Sequence, residues 1–406
     1  MLMQESMRWF GPNDPVHLSD LRQAGCSGVV TSLHQIPYGE IWSVGEIMKR
    51  KTMIEDAGMV WCAVESLPVH EDIKTGDGNY RQYIDNYIIS LRNLASCGIK
   101  LITYNFMPVL DWVRTNLNYT LPDGSKSLFF EHLLFAAFDL FVLKRADAER
   151  DYSAETIQKS KIYFDSLSSM QKTVLEQSIV DTLPGCKGQT LNDVKSKLAR
   201  YHNIDRAALK EHLKLFLNEV CPAADELGCR LVIHPDDPPF SVLGLPRIFS
   251  TEEDIRDLIA MEPSPSNGIC FCTGSFSGRE DNNLLKMFNL CKDRVGFIHL
   301  RSTEHPGGGD FYEANHLQGA VNMYEMICAI EEEQIRRIEL GRADWRLPMR
   351  PDHGHVMLDD LKKPETAVTP GYSAVGRLRA LAELRGVEYG VMHALYPKYL
   401  KYCELR

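Results

Sequence analysis

Four side chains able to bind a metal recur at one place in the pattern of this chain. His234, Cys272, His299 and Asp352 each close a short apolar run and stand just before a Pro, Gly or polar turn. Glu65 and Asn105 hold the same position in two earlier runs. A lone histidine in an apolar run is ordinarily a core residue satisfied by its neighbours. Ligand-capable residues repeated at one position in successive runs need another explanation. Two imidazoles, a thiolate and a carboxylate make a mononuclear site for a divalent transition metal. Ligand softness points to zinc or iron and leaves manganese and cobalt open. Cys270 shares a run with Cys272, which is preferred because it abuts the turn Thr273-Gly274.

The neighbouring segments also carry chemistry that folding does not require. HPDDPP (234–239) sets two carboxylates among prolines in a rigid turn, and RPDHGH (350–355) puts His353 beside Asp352. HLRSTEHPGGGD (299–310) places Arg301 near the same point. Its Gly run is not a phosphate-binding loop, because no GK[ST] ending and no helix follow it. Tyr372, in TPGYSAVGR, stands ahead of the seventh helical stretch and faces the same side.

The apolar runs that must position these groups lie at 27–33, 59–66, 99–106, 229–235, 268–274, 295–301, 347–352 and 387–395. Their shortness and near-continuous hydrophobicity fit strands buried on both faces. Amphipathic stretches separate them, as at 43–58, 79–98, 208–228 and 373–386, and end in Gly58, Gly98, Gly228 and Gly386. A glycine there is helix C-terminal punctuation before the next strand. Eight runs alternating with helices predict an α/β fold, a closed (β/α)8 TIM barrel. No GxGxxG turn follows the first run, as an open dinucleotide-binding sheet would require. In a barrel the groups ending runs four to seven converge on one mouth. Residues 107–200 are too long for a loop between the third and fourth runs. The expectation is one barrel domain over 1–406 with a helical subdomain, 126–200, inserted after the third strand as a lid or an oligomer contact.

Composition excludes several other classes. With 406 residues, 44% hydrophobic and 25% charged, the chain can bury a large core. A net charge of −10 argues against nucleic acid or an anionic membrane as partner. No apolar run reaches the roughly 18–20 residues needed to span a bilayer. The longest candidate, 128–143, is interrupted by Glu131, His132 and Asp139. The opening residues lack the basic-then-apolar order of a signal peptide. Eleven cysteines without a CxxC pair fit a reducing compartment, so the expected location is the cytoplasm.

The segments RWFGPNDPV (8–16), ESLPVHEDIKTG (65–76), YNFMPVLDW (104–112), LPDGS (121–125), HPDDPP, GLPRI (244–248), CTGS (272–275), HLRST, MRPDHGH (349–355) and PGYSAVGRL (370–378) span the chain. Together they resemble the mannonate dehydratase family, its longer enterobacterial-type members in particular. The resemblance implies a metal-dependent, xylose-isomerase-like barrel that dehydrates D-mannonate to 2-keto-3-deoxy-D-gluconate in hexuronate (glucuronate) breakdown. It implies His234, Cys272, His299 and Asp352 as metal ligands, with Mn²⁺ favoured and Fe²⁺, Co²⁺ or Mg²⁺ as substitutes. No organic cofactor is expected, and the expected assembly is a homo-oligomer, a dimer. The implied acid/base pair is His353 and Tyr372. Such an elimination needs a base at C2 and an acid for the departing C3 hydroxyl. Tyr372 is assigned as the base, its pKa to be lowered by the metal and Arg301, and His353 as the acid. Arg301 and Asp236 are the expected substrate contacts. A sugar isomerase on the same scaffold would need two metal-bridging carboxylates, where this ligand set offers one.

Overall fold

A computed structural model describes residues 2–180, 189–364 and 367–403. Eight parallel strands close a barrel: β1 (Gln4–Arg8), β2 (Gly28–Thr31), β3 (Val60–Glu65), β4 (Leu101–Tyr104), β7 (Arg230–Ile233), β8 (Asn267–Cys272), β9 (Val295–His299) and β12 (Pro348–Arg350). Around the barrel the order is β1-β12-β9-β8-β7-β4-β3-β2. The closed (β/α)8 architecture is the one expected, but two of its assignments differ.

The run at 387–395 is not a strand. It forms the second half of one helix, Ala374–Leu395, in which Gly386 is an interior residue rather than a terminator. The eighth strand is instead β1, whose sequence QESMR shows little apolar signal. Its polar residues are buried because each is paired. The Glu5 carboxylate accepts from Arg385 Nη2 at 2.6 Å, and Ser6 Oγ donates to the Met349 carbonyl at 2.8 Å. The groups at 234, 272, 299 and 352 therefore follow the fifth to eighth barrel strands, and the long insertion follows the fourth, not the third.

The insertion also begins differently from the expectation. Two strands, β5 (Asn116–Thr120) and β6 (Lys126–Phe130), form a hairpin over the turn at Asp123-Gly124, so 126–130 is strand rather than helix. Gly124 sits at φ +83°, a left-handed conformation suited to glycine. The hairpin joins β10 (Thr303–Gly307) and β11 (Asp310–Glu313) in a four-stranded sheet of order β10-β11-β6-β5. Helices His132–Ala137, Ala154–Ser166, Ser169–Val180 and Leu191–Ala199 follow. Positions 181–188 of the insertion, Cys186 among them, lie outside the described residues. Phe130, Phe135, Phe138, Leu175 and Ile179 of the insertion pack with Val242 and Leu243 of the loop after β7 and with Phe311 of β11, all at the barrel mouth. Burying such side chains stabilises by about 1.5–3 kcal/mol each, so the insertion is fastened to the mouth by its own core.

The last helix meets the loop after β12 through two glycines. A Cβ on Gly376 would strike the backbone of His355, and one on Gly354 would lie 2.5 Å from the Arg377 nitrogen. This close approach seats the loop that carries Asp352 and His353. Gly376→Ala is expected to lower stability by about 1–3 kcal/mol through overpacking. An unchanged urea midpoint would show that the helix and loop do not need this contact.

Candidate active site and metal centre

The parallel register sets the ligand-capable side chains level with one another. Cys272 pairs with His299 across β8 and β9, and Arg350 pairs with His299 across β9 and β12. The His234 amide bonds the Tyr104 carbonyl at 2.9 Å, which carries the β4–β7 ladder one residue further. Asp352 stands at φ +61°, a left-handed conformation costing of order 1–3 kcal/mol for a residue with a side chain. Its carboxylate is held there by Arg301 Nε at 2.6 Å and by Arg350.

The candidate ligands form two overlapping trios that share His299. Cys272, His299 and Asp352 make one, and His234, Cys270 and His299 the other; within each trio the ligand atoms lie within 4.8 Å of one another, and all are buried. Cys272 Sγ is 3.6 Å from Asp352 Oδ2, and the rings of His234 and His299 are 5.1 Å apart. Cys270 is thus brought to the site along with Cys272. Side chains two apart on a strand leave the same face, so strand alternation does not separate them.

Protonation at the site follows from burial and neighbours. His234 Nδ1 faces the Pro235 carbonyl at 2.7 Å; a carbonyl only accepts, so Nδ1 carries the proton and Nε2 presents a lone pair. Burial, with Arg350, holds the His299 imidazole well below its ordinary value, in the neutral form a metal requires. Its Nδ1 is buried without a hydrogen-bond partner among the described residues and stands 3.8 Å from Asp352 Oδ2. Burial pushes the Cys272 thiol up to about 12 against the pull of Arg301. Burial also raises the Asp352 carboxyl, but Arg350, His353 and Arg301 outweigh it and hold the group well below the usual range. An orphaned ring nitrogen between a thiol and an ionised carboxylate fits a divalent ion.

Around the ligands lies a lattice of buried charge. Every N–H of Arg301 is engaged: Nε with Asp352, Nη1 with both Glu313 oxygens at 2.9 Å, and Nη2 with Asp237 at 2.5 Å and Ser275 at 3.0 Å. Arg301 lines the cavity, yet it has no donor left for a substrate. Asp236 does not line the cavity at all: its carboxylate accepts from the Phe249 amide and from Ser250 Oγ, both at 2.7 Å. Its neighbour Asp237 lines the cavity in its place.

His353 and Tyr372 come together at this mouth, their ring centroids 5.3 Å apart and edge to face. Trp112 packs on His353 and Phe10 on Tyr372. His353 Nδ1 is 3.1 Å from Glu313 Oε1. The lowered Tyr372 pKa expected of a base is not present in the chain itself. Burial raises its hydroxyl above the ordinary value despite Arg8 and Arg350.

Sequence reasoning missed Arg8, His34 and Glu313. Arg8 closes β1 and lines the cavity, 3.7 Å from Glu65 Oε1, with a buried Nε lacking a partner among the described residues. The strand-end rule that selected the other groups would have found Arg8 had β1 been recognised. Glu313 lies on β11, outside the barrel, where no strand-end rule applies.

Burial, with Arg8 and Arg50, pushes the His34 imidazole down from 6.5 to about 3. Burial raises Glu65, but Arg350, His299 and Arg8 overcome it and bring the carboxyl from 4.5 to about 2. Both groups have folded values below their unfolded ones, so each stabilises fully above its unfolded value and loses this as pH falls toward its folded value. Stability of the metal-free protein is expected to decline as pH drops below 6.5 and to steepen below 4.5. Urea midpoints across this range measure the decline. His34→Gln should flatten the upper part, and an unchanged slope would remove His34 as its source.

Residues 3–396 match the family model described as D-mannonate dehydratase (UxuA). The chain is 49% identical over 395 residues to a mannonate dehydratase of Marinomonas sp., covering 97% of this chain and 100% of that one. It is 46% identical over 394 residues to a mannonate dehydratase of Saccharophagus degradans, covering 97% and 98%. Among solved structures, mannonate dehydratase from Streptococcus suis superposes with a TM-score of 0.75 at 31% identity, covering 97% of this chain and 94% of that one. A D-psicose 3-epimerase of Clostridium cellulolyticum, at 10% identity and a TM-score of 0.50 over 95% and 99% of the two chains, shares the fold alone.

Proposed function

The chain belongs to the D-mannonate dehydratase family, and on that premise we propose how its own residues divide the removal of water from the substrate. The chain is a hydro-lyase that converts D-mannonate to 2-keto-3-deoxy-D-gluconate in hexuronate breakdown. The observation that carries the residue-level reading is the convergence of His353 and Tyr372 on the cavity lined by His234 and Asp352.

His234, Cys272, His299 and Asp352 are the ligands in this reading, and Mn²⁺ is the favoured ion. The C2 proton of a sugar acid is weakly acidic because removing it adds charge beside an existing carboxylate. A bound divalent cation supplies electrostatic stabilisation of that developing charge. Arg8, whose Nε has no partner among the described residues, is positioned to pair with the substrate carboxylate, the role first expected of Arg301. Arg301 instead holds Asp352 and Glu313 in place.

The division between the pair is drawn from hydrogen bonding. The Glu313 carboxylate accepts from His353 Nδ1, which leaves a lone pair on Nε2. His353 is therefore the base in this reading and takes the C2 proton. Tyr372, whose buried hydroxyl keeps its proton, donates it to the C3 hydroxyl as the C3–O bond breaks and water leaves. The resulting enol becomes the 2-keto acid by releasing its C2 hydroxyl proton and taking up a proton at C3. This reverses the assignment that the sequence suggested, and what supports the reversal is that burial in the metal-free chain keeps the Tyr372 hydroxyl above its ordinary value.

The reading also includes a cytoplasmic homodimer. The ten described cysteines are all free, as a reducing compartment favours, and Ile162, Met170 and Val174 expose apolar surface on the insertion.

Purified protein with Mn²⁺ and D-mannonate should form a 2-keto acid. His353→Asn and Tyr372→Phe should each lower turnover by about 10²–10⁴-fold with bound metal retained. In deuterated water Tyr372→Phe should still exchange the C2 hydrogen, whereas His353→Asn should not. The opposite pattern would return the base role to Tyr372.

A further inference from the structure

We propose that Asn105, Asp111 and Trp112 form the subsite for the C4–C6 end of the substrate and select it by the length of its hydroxyl-bearing chain. The inference rests on the reading of Arg8 as the partner of the substrate carboxylate.

The three residues belong to the segment that leaves β4, and all three line the cavity shared with His353 and Tyr372. β1, which ends in Arg8, and β4 stand three places apart in the closed ring of eight strands, so the ends of the two strands face each other across the mouth. Trp112 packs edge to face on His353 with ring centroids 5.7 Å apart. Arg8 lies over Phe10, whose ring packs on Tyr372. The pair therefore stands between Arg8 and Trp112. A substrate held by its carboxylate at Arg8, with C2 and C3 before the pair, directs its remaining carbons toward the β4 side.

The chemistry on that side suits neutral hydroxyls. Trp112 Nε1 is buried with no hydrogen-bond partner among the described residues. Buried polar groups are ordinarily paired, and an indole nitrogen only donates, so this one calls for an acceptor from the cavity. Asn105 Nδ2 donates to Asp111 Oδ2 at 3.2 Å, which sets the two side chains next to each other. A carboxamide both donates and accepts, and a carboxylate accepts at two oxygens. The couple thus matches adjacent hydroxyls, each of which gives one proton and accepts another. The loop is held for this: Glu71 Oε2 accepts from the Val109 amide at 3.3 Å, and the Leu110 carbonyl accepts from Arg247 Nη2 at 2.9 Å. Val109 takes a φ of +59°, a left-handed conformation that a β-branched residue adopts only where its surroundings impose it. A site built to bond hydroxyls rejects an analogue lacking them, because its own polar groups are then left unpaired.

The test compares kcat and KM for three acids that share one configuration at C2 and C3: D-mannonate, D-lyxonate, which is one carbon shorter, and L-erythronate, which is two shorter. Wild-type kcat/KM should fall with each shortening, by about 10²-fold or more from first to last. Trp112→Phe and Asp111→Ala should each lower kcat/KM for D-mannonate by about tenfold and leave that for L-erythronate within about twofold. Where turnover of a short acid is below detection, its inhibition constant against D-mannonate gives the same comparison. Equal losses on all three acids would reduce Trp112 and Asp111 to supports of His353 and overturn the subsite, as would wild-type kinetics in both variants. Arg8→Met reports on the carboxylate end separately and should weaken all three acids by one common factor. Unchanged kinetics in Arg8→Met, with the length dependence of Trp112→Phe intact, would refute the role of Arg8 and leave the β4 subsite standing. A loss that follows chain length in Arg8→Met but not in Trp112→Phe would turn the substrate end for end and overturn the proposal.

Discussion

Arg301 lies fully buried with Asp352, Glu313 and Asp237 around it, and Arg114 reaches the last two from the other side. Each of these carboxylates would be forced to take up a proton if it were left alone in the interior. Two guanidiniums allow them to stay ionised together, and removing one partner from such a buried set costs about 3–5 kcal/mol. The pairing also decides geometry, because Arg presents its donors in a fixed planar fork. The lattice pins the loops after β7, β9 and β12 to the ribbon strand β11, and so sets where Asp352 and His353 can stand. Gly274 belongs to the same constraint: a Cβ there would lie 2.5 Å from Arg301 Nη1. The glycine in CTGS makes room for the guanidinium.

What could be read from the chain depended on which physical signal a residue leaves. The strand-end position of His234, Cys272, His299 and Asp352 was legible because barrels place polar groups there and the preceding runs are apolar. β1 was not legible, since Glu5 and Ser6 are polar residues buried by partners far along the chain, Arg385 and Met349. The run at 387–395 misled for the converse reason, a helix apolar enough to imitate a buried strand, with Gly386 mimicking its stop signal. Between Asp236 and Asp237, only the fold shows which carboxylate turns inward; neighbouring acids in a proline-rich turn have the same signature. Glu313 leaves no local trace, because its importance arises from a sheet that joins two distant segments.

The metal centre shows a similar division. Its donors were identifiable by type, but not their arrangement in depth. The pleat puts Cys270 and Cys272 on one face, and the His299 ring between them turns Nε2 toward Cys270, Glu65 and Arg350 and Nδ1 toward Asp352. Sequence spacing alone carries no information about that ring.

The sheet β10-β11-β6-β5 ties the insertion to the chemistry in a way its position over the mouth does not convey. Phe130 of β6 is paired to Phe311 of β11, two residues before Glu313, which bonds both His353 and Arg301. The hairpin of the insertion and the carboxylate behind the proposed base are therefore parts of one rigid ribbon. A flap that swung independently would have to break this ladder first, so the hairpin and the strand that carries Glu313 are coupled through their backbones.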